Sequence, residues 1–119
     1  MLALYPLFRL LWVPQQGVDL NRAMFAWQAS VVDATHPVPD VYTVKAGLVP
    51  GGPYPLTYTL TGVPLPTSLP VSQVITAPGT YYSVVAASNF YGEAIAASEV
   101  KFIVGYAPQF PSGYSIMIL

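Results

Sequence analysis

The sequence predicts an all-β domain, and three of its properties lead to that prediction. Thirteen prolines and nine glycines are spread along the 119 residues, and an interior proline costs a helix about 3 kcal/mol. Between them lie short runs rich in β-branched and aromatic residues, several of which alternate with a period of two. These runs recur at roughly 8- to 15-residue intervals, as in β-sandwiches and β-barrels. The chain is too short for two independent cores, so we expect a single domain.

Six segments have the composition and the Pro or Gly boundaries of strands. In the first, Phe25 and Trp27 share one face; in the second, Tyr42, Val44 and Ala46 do so. The six segments are 23–29, 41–46, 56–60, 71–76, 81–89 and 100–104. An opening strand is expected from 10–13 or 17–20, which makes about seven strands in all.

Proline and glycine mark the connections between these segments. The stretch 33–40 contains Pro37 and Pro39 and is predicted to be a loop, because each proline moves the residue before it out of the α region. Turns are predicted at 49–53 and 62–66 for the same reason. Pro55 and Pro70 adjoin strands, and we expect them at sheet edges, where a missing N–H does no harm.

The low charge excludes some classes of function. Charged residues make up 8% of the chain, against about 25% in an ordinary soluble protein. Four Lys and Arg residues are too few and too scattered to neutralise a track of phosphates, so no nucleic acid partner is expected. The absence of cysteine excludes disulfides and thiolate metal sites. Two interpretations of the neutral surface stay open: an extracellular type of module, or a subunit packed inside an assembly, and we favour the second.

The most apolar stretch is 1–13, interrupted by Pro6 and Arg9. It is too short for a membrane-spanning helix, which needs about 20 apolar residues, so no membrane span is expected. No basic residue precedes the apolar run and no small-residue cleavage site follows it, so it is also a poor secretory signal. We therefore interpret it as part of the fold or as an arm that docks on another surface.

The order of residues from Asn21 to Val104 resembles the fibronectin type III domain. Trp27 and Tyr42 occupy the places of that family's buried Trp and of the Tyr that opens the third strand. The later run from Ile75 through Pro78-Gly79-Thr80 to Tyr81 has the family's spacing, although Pro-Gly-Thr lies one residue late and Ser83 replaces an apolar residue. The alternation that follows continues through Val85, Ala87, Asn89 and Gly92.

This resemblance implies a single fibronectin type III-like or immunoglobulin-like sandwich with extensions at both ends. Trp27 is expected between the sheets, Tyr81 at a strand corner with its hydroxyl bonded to nearby backbone, and Asn89 and Gly92 at a tight connection. All of these are expected to support the scaffold. The predicted structural core comprises Phe25, Trp27, Tyr42, Ile75, Tyr81, Val85, Ala87, Asn89 and Gly92.

Residues for catalysis or metal binding are scarce. Asp33, His36 and Asp40 share one loop, and their donor types suit a divalent metal. However, the loop offers no further ligand or supporting partner, and we expect it to be solvated. Glu93 and Glu99 flank the last turn and are also expected in solvent. No catalytic residue, cofactor, metal or small-molecule substrate is predicted, and the chain is not expected to be an enzyme.

Two apolar arms flank the predicted sandwich of 21–104, namely 1–20 and 105–119. One domain cannot bury all of their side chains, and each large one left in water forgoes roughly 1.5–3 kcal/mol. The alternative, that both arms fold back on their own domain, stays open. The residues predicted to dock on neighbouring subunits are Leu4, Tyr5, Leu7, Phe8, Leu11, Trp12, Phe110, Tyr114, Ile116, Met117, Ile118 and Leu119.

These features predict a non-enzymatic structural subunit that joins its neighbours through apolar arms. The chain resembles the decoration and minor capsid or tail proteins of bacteriophages, which implies location in the virion and partners that are other copies of itself or a major capsid or tail protein. The alternative is a secreted or cell-surface adhesion module that binds a glycan or protein through loops carrying Tyr54, Phe90 and Tyr91. A fragment of a carbohydrate-active enzyme is a third interpretation, and it needs a catalytic partner domain.

Overall fold

A computed structural model describes residues 17–96 and 98–117, and over these the protein is nearly all β, with no α-helix. No helix in the described ranges is long and apolar enough to cross a membrane. The elements are eight strands and one 3₁₀ turn: β1 Val18–Asp19, β2 Met24–Ala26, β3 Val41–Gly47, β4 Leu56–Leu60, β5 Ser68–Pro70, the turn Val71–Gln73, β6 Gly79–Asn89, β7 Gly92–Ile95 and β8 Val100–Gly105.

The larger sheet is mixed and has the order β1-β8-β6-β3-β4. Strand β6, with eleven residues, organises it: β3 pairs along one edge, and β8 and β7 share the other. All of these pairs are antiparallel except β1 with β8, where Val18 lies opposite Val104 in a parallel register. Strand β4 forms the edge, and Pro55 lies just before it, as expected of a proline without an N–H.

The smaller sheet consists of β2 and β5, paired antiparallel with Phe25 opposite Leu69. Pro70, in β5, lies opposite Met24. Backbone bonds from Val71 N to Ala23 O and from Trp27 N to Thr67 O flank this pair. Because bonding alternates along an antiparallel ladder, the nitrogen of Pro70 faces away from β2. The proline therefore leaves the ladder intact.

Both sheets contribute to one apolar core. Ile75 and Val44 have no exposed surface, and Tyr42 and Tyr81 are buried beside them. Four of the predicted core residues are half-buried and pack against this cluster: Phe25, Trp27, Val85 and Ala87. The edge-to-face contact of Trp27 with Tyr42, with ring centroids 5.6 Å apart, joins the chain just after β2 to β3.

Tyr81 has the arrangement predicted for it. Its ring is buried, and its hydroxyl donates a 2.8 Å hydrogen bond to the backbone oxygen of Ala77. Asn89 is half-buried at the end of β6. Gly92 is exposed, so its assignment to the core is wrong: it lies at the start of β7, just beyond the hairpin tip, where no other described element covers it.

The prediction of a strand over 71–76 is also wrong. The strand is β5, just before it, and the chain then forms a 3₁₀ turn in which Val74 N and Ile75 N both donate to Val71 O. Val71, Val74 and Ile75 are buried together. This spacing of three and four residues places side chains on one side of a helical turn, whereas a strand would bury alternate residues.

Other strand boundaries differ from the predicted ones. Strand β2 covers only Met24–Ala26 of the predicted 23–29, and residues 28–29 are exposed. Strand β7 was not predicted, because its Gly-Glu-Ala-Ile sequence carries a weak strand signal. Strand β1 lies within 17–20, one of the two predicted positions; the other, 10–13, lies outside the described residues.

Candidate functional site

The C-terminal arm, which we define as residues 106–117, projects its apolar side chains into solvent. Exposure reaches 88% for Phe110, 87% for Tyr114, 82% for Ile116 and 80% for Met117. No strand follows β8 in the described part of this arm. The alternative that the arm folds back therefore does not hold for these residues.

The sequence of the arm explains why the sheet ends at Gly105. Pro108 and Pro111 lack the N–H that a ladder requires, and Gly113 has a φ of +68°, which turns the chain. Four of the predicted docking residues lie in this exposed arm: Phe110, Tyr114, Ile116 and Met117. The others lie outside the described residues: Leu4, Tyr5, Leu7, Phe8, Leu11, Trp12, Ile118 and Leu119.

A second exposed apolar feature is the tip of the β6–β7 hairpin. Phe90 and Tyr91 form its two-residue turn and are each 89% exposed. Their rings meet edge to face with centroids 5.2 Å apart. The side-chain oxygen of Asn89 accepts a 2.8 Å hydrogen bond from Tyr91 N and so fixes the turn, which is a role often taken by Asn.

A groove of about 760 Å³ lies between this hairpin and the loop that connects β2 to β3. Its walls combine aromatic, ionisable and amide side chains, including those of Asp33, His36, Asn89, Tyr91 and Glu93. Such a mixture suits a ligand with hydroxyl or amide groups and a flat apolar face.

Within this groove His36 Nδ1 lies 2.8 Å from Asp33 Oδ1. The contact with His36, followed by the bond from Thr35 N, lowers the pKa of the Asp33 carboxyl below its usual value. Asp40 is engaged elsewhere through its backbone N–H, which donates to Ser88 O. Within 17–96 and 98–117, no three His, Cys, Asp or Glu side chains are grouped closely enough to hold a metal ion.

Glu99 was predicted to lie in solvent, and this is wrong in part. Its side chain connects the β3–β4 loop to the chain just before β8. Its carboxylate accepts hydrogen bonds from Gly51 N, at 2.8 Å, and from the Tyr54 hydroxyl. The contact with Glu99 raises the pKa of Tyr54, because an adjacent carboxylate disfavours the phenolate. A contact across 45 residues of sequence cannot be read from local composition.

Glu93 was also predicted in solvent, and this too is wrong in part. Its Oε1 lies 2.9 Å from Lys45 Nζ, and both side chains are partly exposed. The register places Lys45 opposite Val84 and Glu93 opposite Ser88. The ion pair therefore crosses β6 diagonally on one face of the sheet.

The structure places the three aromatic residues named for the adhesion alternative, Tyr54, Phe90 and Tyr91, at two different ends of the larger sheet. Tyr54 lies in the loop that follows the Gly47 end of β3, and Gly47 is opposite Tyr82. Phe90 and Tyr91 lie beyond the other end, where Val41 is opposite Ser88. The two ends of β3 are separated by its full length of seven residues, which is about 20 Å. Tyr54 is also half-buried, so of these three residues Phe90 and Tyr91 are the ones with fully exposed rings.

An apolar groove of about 330 Å³, the inter-sheet groove, was not predicted from the sequence. It lies between β2 of the small sheet and β6 and β8 of the large one, and its walls include Val18, Met24, Phe25, Trp27, Val100 and Phe102. These residues come from separate segments of the chain, so no local pattern marks them as one surface.

The comparison with known proteins gives no relative for this chain. No protein-family model, curated protein or solved structure matches it.

Proposed function

We propose that this protein is a non-enzymatic structural subunit of a large assembly, and specifically a bacteriophage virion protein of the capsid-decoration or minor head and tail kind. Its partners are other copies of itself, a major capsid protein or a tail protein. The observation that carries this proposal is the C-terminal arm, in which Phe110, Tyr114, Ile116 and Met117 are all at least 80% exposed.

A fibronectin type III-like sandwich is the scaffold that we propose to present this arm. In immunoglobulin-type sandwiches strands C, F and G are neighbours in one sheet, and B and E are neighbours in the other. The neighbours β3-β6-β8 and β2-β5 have the same relationship. The Tyr81 hydroxyl bond to Ala77 O supports the same assignment, because a tyrosine corner is typical of such sandwiches.

Energetics favour a docking role for the arm. Each large apolar side chain left in water forgoes roughly 1.5–3 kcal/mol. The arm, residues 106–117, also carries no charged side chain that would keep it soluble. Contiguous exposed apolar surface of this kind marks contact sites in soluble proteins. A subunit that buries its arm against a neighbour removes this surface from water.

The proposal is tested with a full-length variant that carries Phe110→Glu, Tyr114→Glu and Ile116→Glu. The matched control carries Val38→Glu, Leu48→Glu and Val63→Glu, which adds the same charge at exposed apolar residues outside the arm. We expect the parent and the control to form higher oligomers in light scattering after size exclusion, and the arm variant to be monomeric. Electron microscopy of the parent should show closed or tubular particles, or decoration of phage particles by added protein.

A monomeric parent chain that binds no phage particle contradicts the proposal. Equal association of the arm variant and the parent contradicts the role of the arm. Far-ultraviolet circular dichroism of all three proteins reports whether each one is folded.

A second candidate function is adhesion, and the exposed pair Phe90 and Tyr91 beside the 760 Å³ groove favours it. Aromatic rings next to carboxylate and amide groups are suited to a sugar, whose face stacks on the ring while its hydroxyls take the hydrogen bonds. A glycan array probed with the parent, Tyr91→Ala and Tyr114→Ala tests it. Adhesion to a glycan requires binding that Tyr91→Ala removes and Tyr114→Ala does not, and an array with no binding contradicts it.

A further inference from the structure

We propose that the inter-sheet groove receives the C-terminal arm of a second copy of this chain, whose residues 114–117, beyond Pro111 and Gly113, add a strand to the free edge of β2. This inference rests on the proposed assembly function and deepens it, because it names the surface that the arm occupies. It is a strand addition between identical subunits.

The free edge follows from the hydrogen bonds of β2. The backbone oxygen of Ala23 accepts a hydrogen bond from Val71 N, and Trp27 N donates one to Thr67 O. Between these two bonds, Phe25 pairs with Leu69 of β5. Because bonding alternates along an antiparallel ladder, the N–H and C=O groups of Met24 and Ala26 point away from β5. In the part of the chain that the structure describes, β2 has no other strand partner. Unpaired edges of this kind are templates for another chain.

On the opposite side of the groove, the first residues of β8 also lack a described strand neighbour on one edge. Strand β1 pairs with β8 only at Val104 and Gly105. Val100 and Phe102, closer to the start of β8, line the groove instead, and Val100 is 56% exposed. The groove therefore lies between the two sheets, at a point where neither edge is covered by a described strand.

The arm and the groove match in chemistry. No residue lining the groove is charged, and no residue of the arm is charged. An added strand therefore desolvates no unpaired ion at this surface. The wall also contains Trp27, whose buried Nε1 has no hydrogen-bond acceptor among the described residues. An incoming strand brings backbone carbonyl groups to this wall, and carbonyls are the acceptors that a buried N–H requires.

The buried area is sufficient for a stable contact. Tyr106, Phe110 and Tyr114 are exposed, and aromatic side chains bury about 150–250 Å² each, so these three alone supply roughly 450–750 Å². Ile116 and Met117 add to this. A stable interface buries about 800 Å² per partner, so the arm reaches this area when the side chains that the 330 Å³ groove does not hold also pack on the surface around it.

A second copy is the occupant because the arm is outside its own groove. The arm follows directly from the end of β8, whereas the groove is lined by the earlier residues of the same strand. Entering its own groove would require the chain to reverse direction after Gly105. The arm residues are exposed instead.

Two full-length variants of β8 provide the test. Val100→Lys places a charge in the groove, whereas Ile103→Lys places the same charge on the opposite face, since Val100 is opposite Ser83 and Ile103 is opposite Thr80. Both side chains are at least 40% exposed, so neither change should unfold the protein. We expect Val100→Lys to weaken self-association about tenfold or more, because an ammonium group buried among apolar residues lacks a partner. Ile103→Lys should associate like the parent.

A cross-link identifies the occupant directly, since the chain contains no cysteine. Equal amounts of Ala26→Cys and Ser115→Cys proteins are mixed and treated with a short bis-maleimide, with Thr59→Cys replacing Ala26→Cys as the control. A cross-link that joins position 26 of one chain to position 115 of another supports the inference. A further variant, Ala26→Cys with Leu11→Cys, tests the N-terminal segment of the same chain as the occupant, and its efficient closure within one chain overturns the inference.

The result also separates this inference from the proposed function. If Val100→Lys associates like the parent while charge in the arm abolishes association, the arm docks elsewhere: the groove inference fails and the assembly function stands. If the parent itself is monomeric, the groove inference fails, and the assembly function fails with it only if the monomer also binds no phage particle.

Discussion

Lys45 Nζ on β3 lies 2.9 Å from Glu93 Oε1 on β7, and the two residues are 48 positions apart in the sequence. Strand β6 lies between them in the sheet, and Ala86, which is opposite Thr43 and Ile95, is almost fully buried there. The ion pair thus connects the two strands that flank β6, and the β6 residue between them is a buried alanine.

We expect removal of this ion pair to cost little. Lys45→Ala should lower the free energy of unfolding by about 0.2–1 kcal/mol, because ion pairs between partly exposed groups are screened by water. Urea unfolding at low and high salt measures the loss, which should shrink as salt rises. Lys101→Ala, at an exposed lysine on β8, is the matched control and should be nearly neutral. A salt-independent loss would contradict an electrostatic origin.

Tyr54 should ionise at a higher pH than an ordinary tyrosine. The Glu99 carboxylate raises its pKa above the usual 10.0, so the folded protein favours the neutral phenol. The stabilising contribution of this contact is therefore complete below pH 10.0 and is lost as the pH rises through the raised pKa. Phenolate absorbance of the parent minus that of Tyr54→Phe isolates this titration. Glu99→Gln should return the pKa of Tyr54 towards its usual value, and an unchanged titration would refute the contact.

Tyr81→Phe isolates a single buried hydrogen bond. The substitution keeps the ring in the core and removes the hydroxyl that donates to Ala77 O at 2.8 Å. We expect a loss of about 0.5–1.5 kcal/mol in the free energy of unfolding, which is the usual net value of such a bond. Tyr58→Phe, on the exposed side chain of an edge strand, serves as control and should change stability little. Equal stability of Tyr81→Phe and the parent would mean that the corner contact has no role in stability.

Ile75→Ala and Ile116→Ala compare the same truncation in the core and in the arm. Ile75 has no exposed surface and Ile116 is 82% exposed. Ile75→Ala should cost about 2–5 kcal/mol, through lost burial and a residual cavity. Ile116→Ala should stay within about 0.5 kcal/mol for the monomer. Chemical unfolding of dilute protein measures both, and a large loss from Ile116→Ala would show that the arm packs on its own domain.

The sequence by itself determined the all-β class and the positions of its long strands. Proline and glycine frequency excluded helices, and alternation marked β3, β4 and most of β6, because a strand with one buried face must alternate. It also marked the C-terminal arm as apolar. These are properties of local chain geometry and of composition, and both can be read without knowing what lies across the sheet. The corner role of Tyr81 was instead an expectation from the resemblance to the fibronectin type III domain.

Only the tertiary structure decided which distant residues meet. The 3₁₀ turn at Val71–Gln73 replaced a predicted strand because the core accepts Val71, Val74 and Ile75 on one side of a turn. The roles of Glu93 and Glu99 depend on partners that are 48 residues or almost as far away. The inter-sheet groove arises where two sheet edges stay open, and edges are created by strand order, which no single segment encodes.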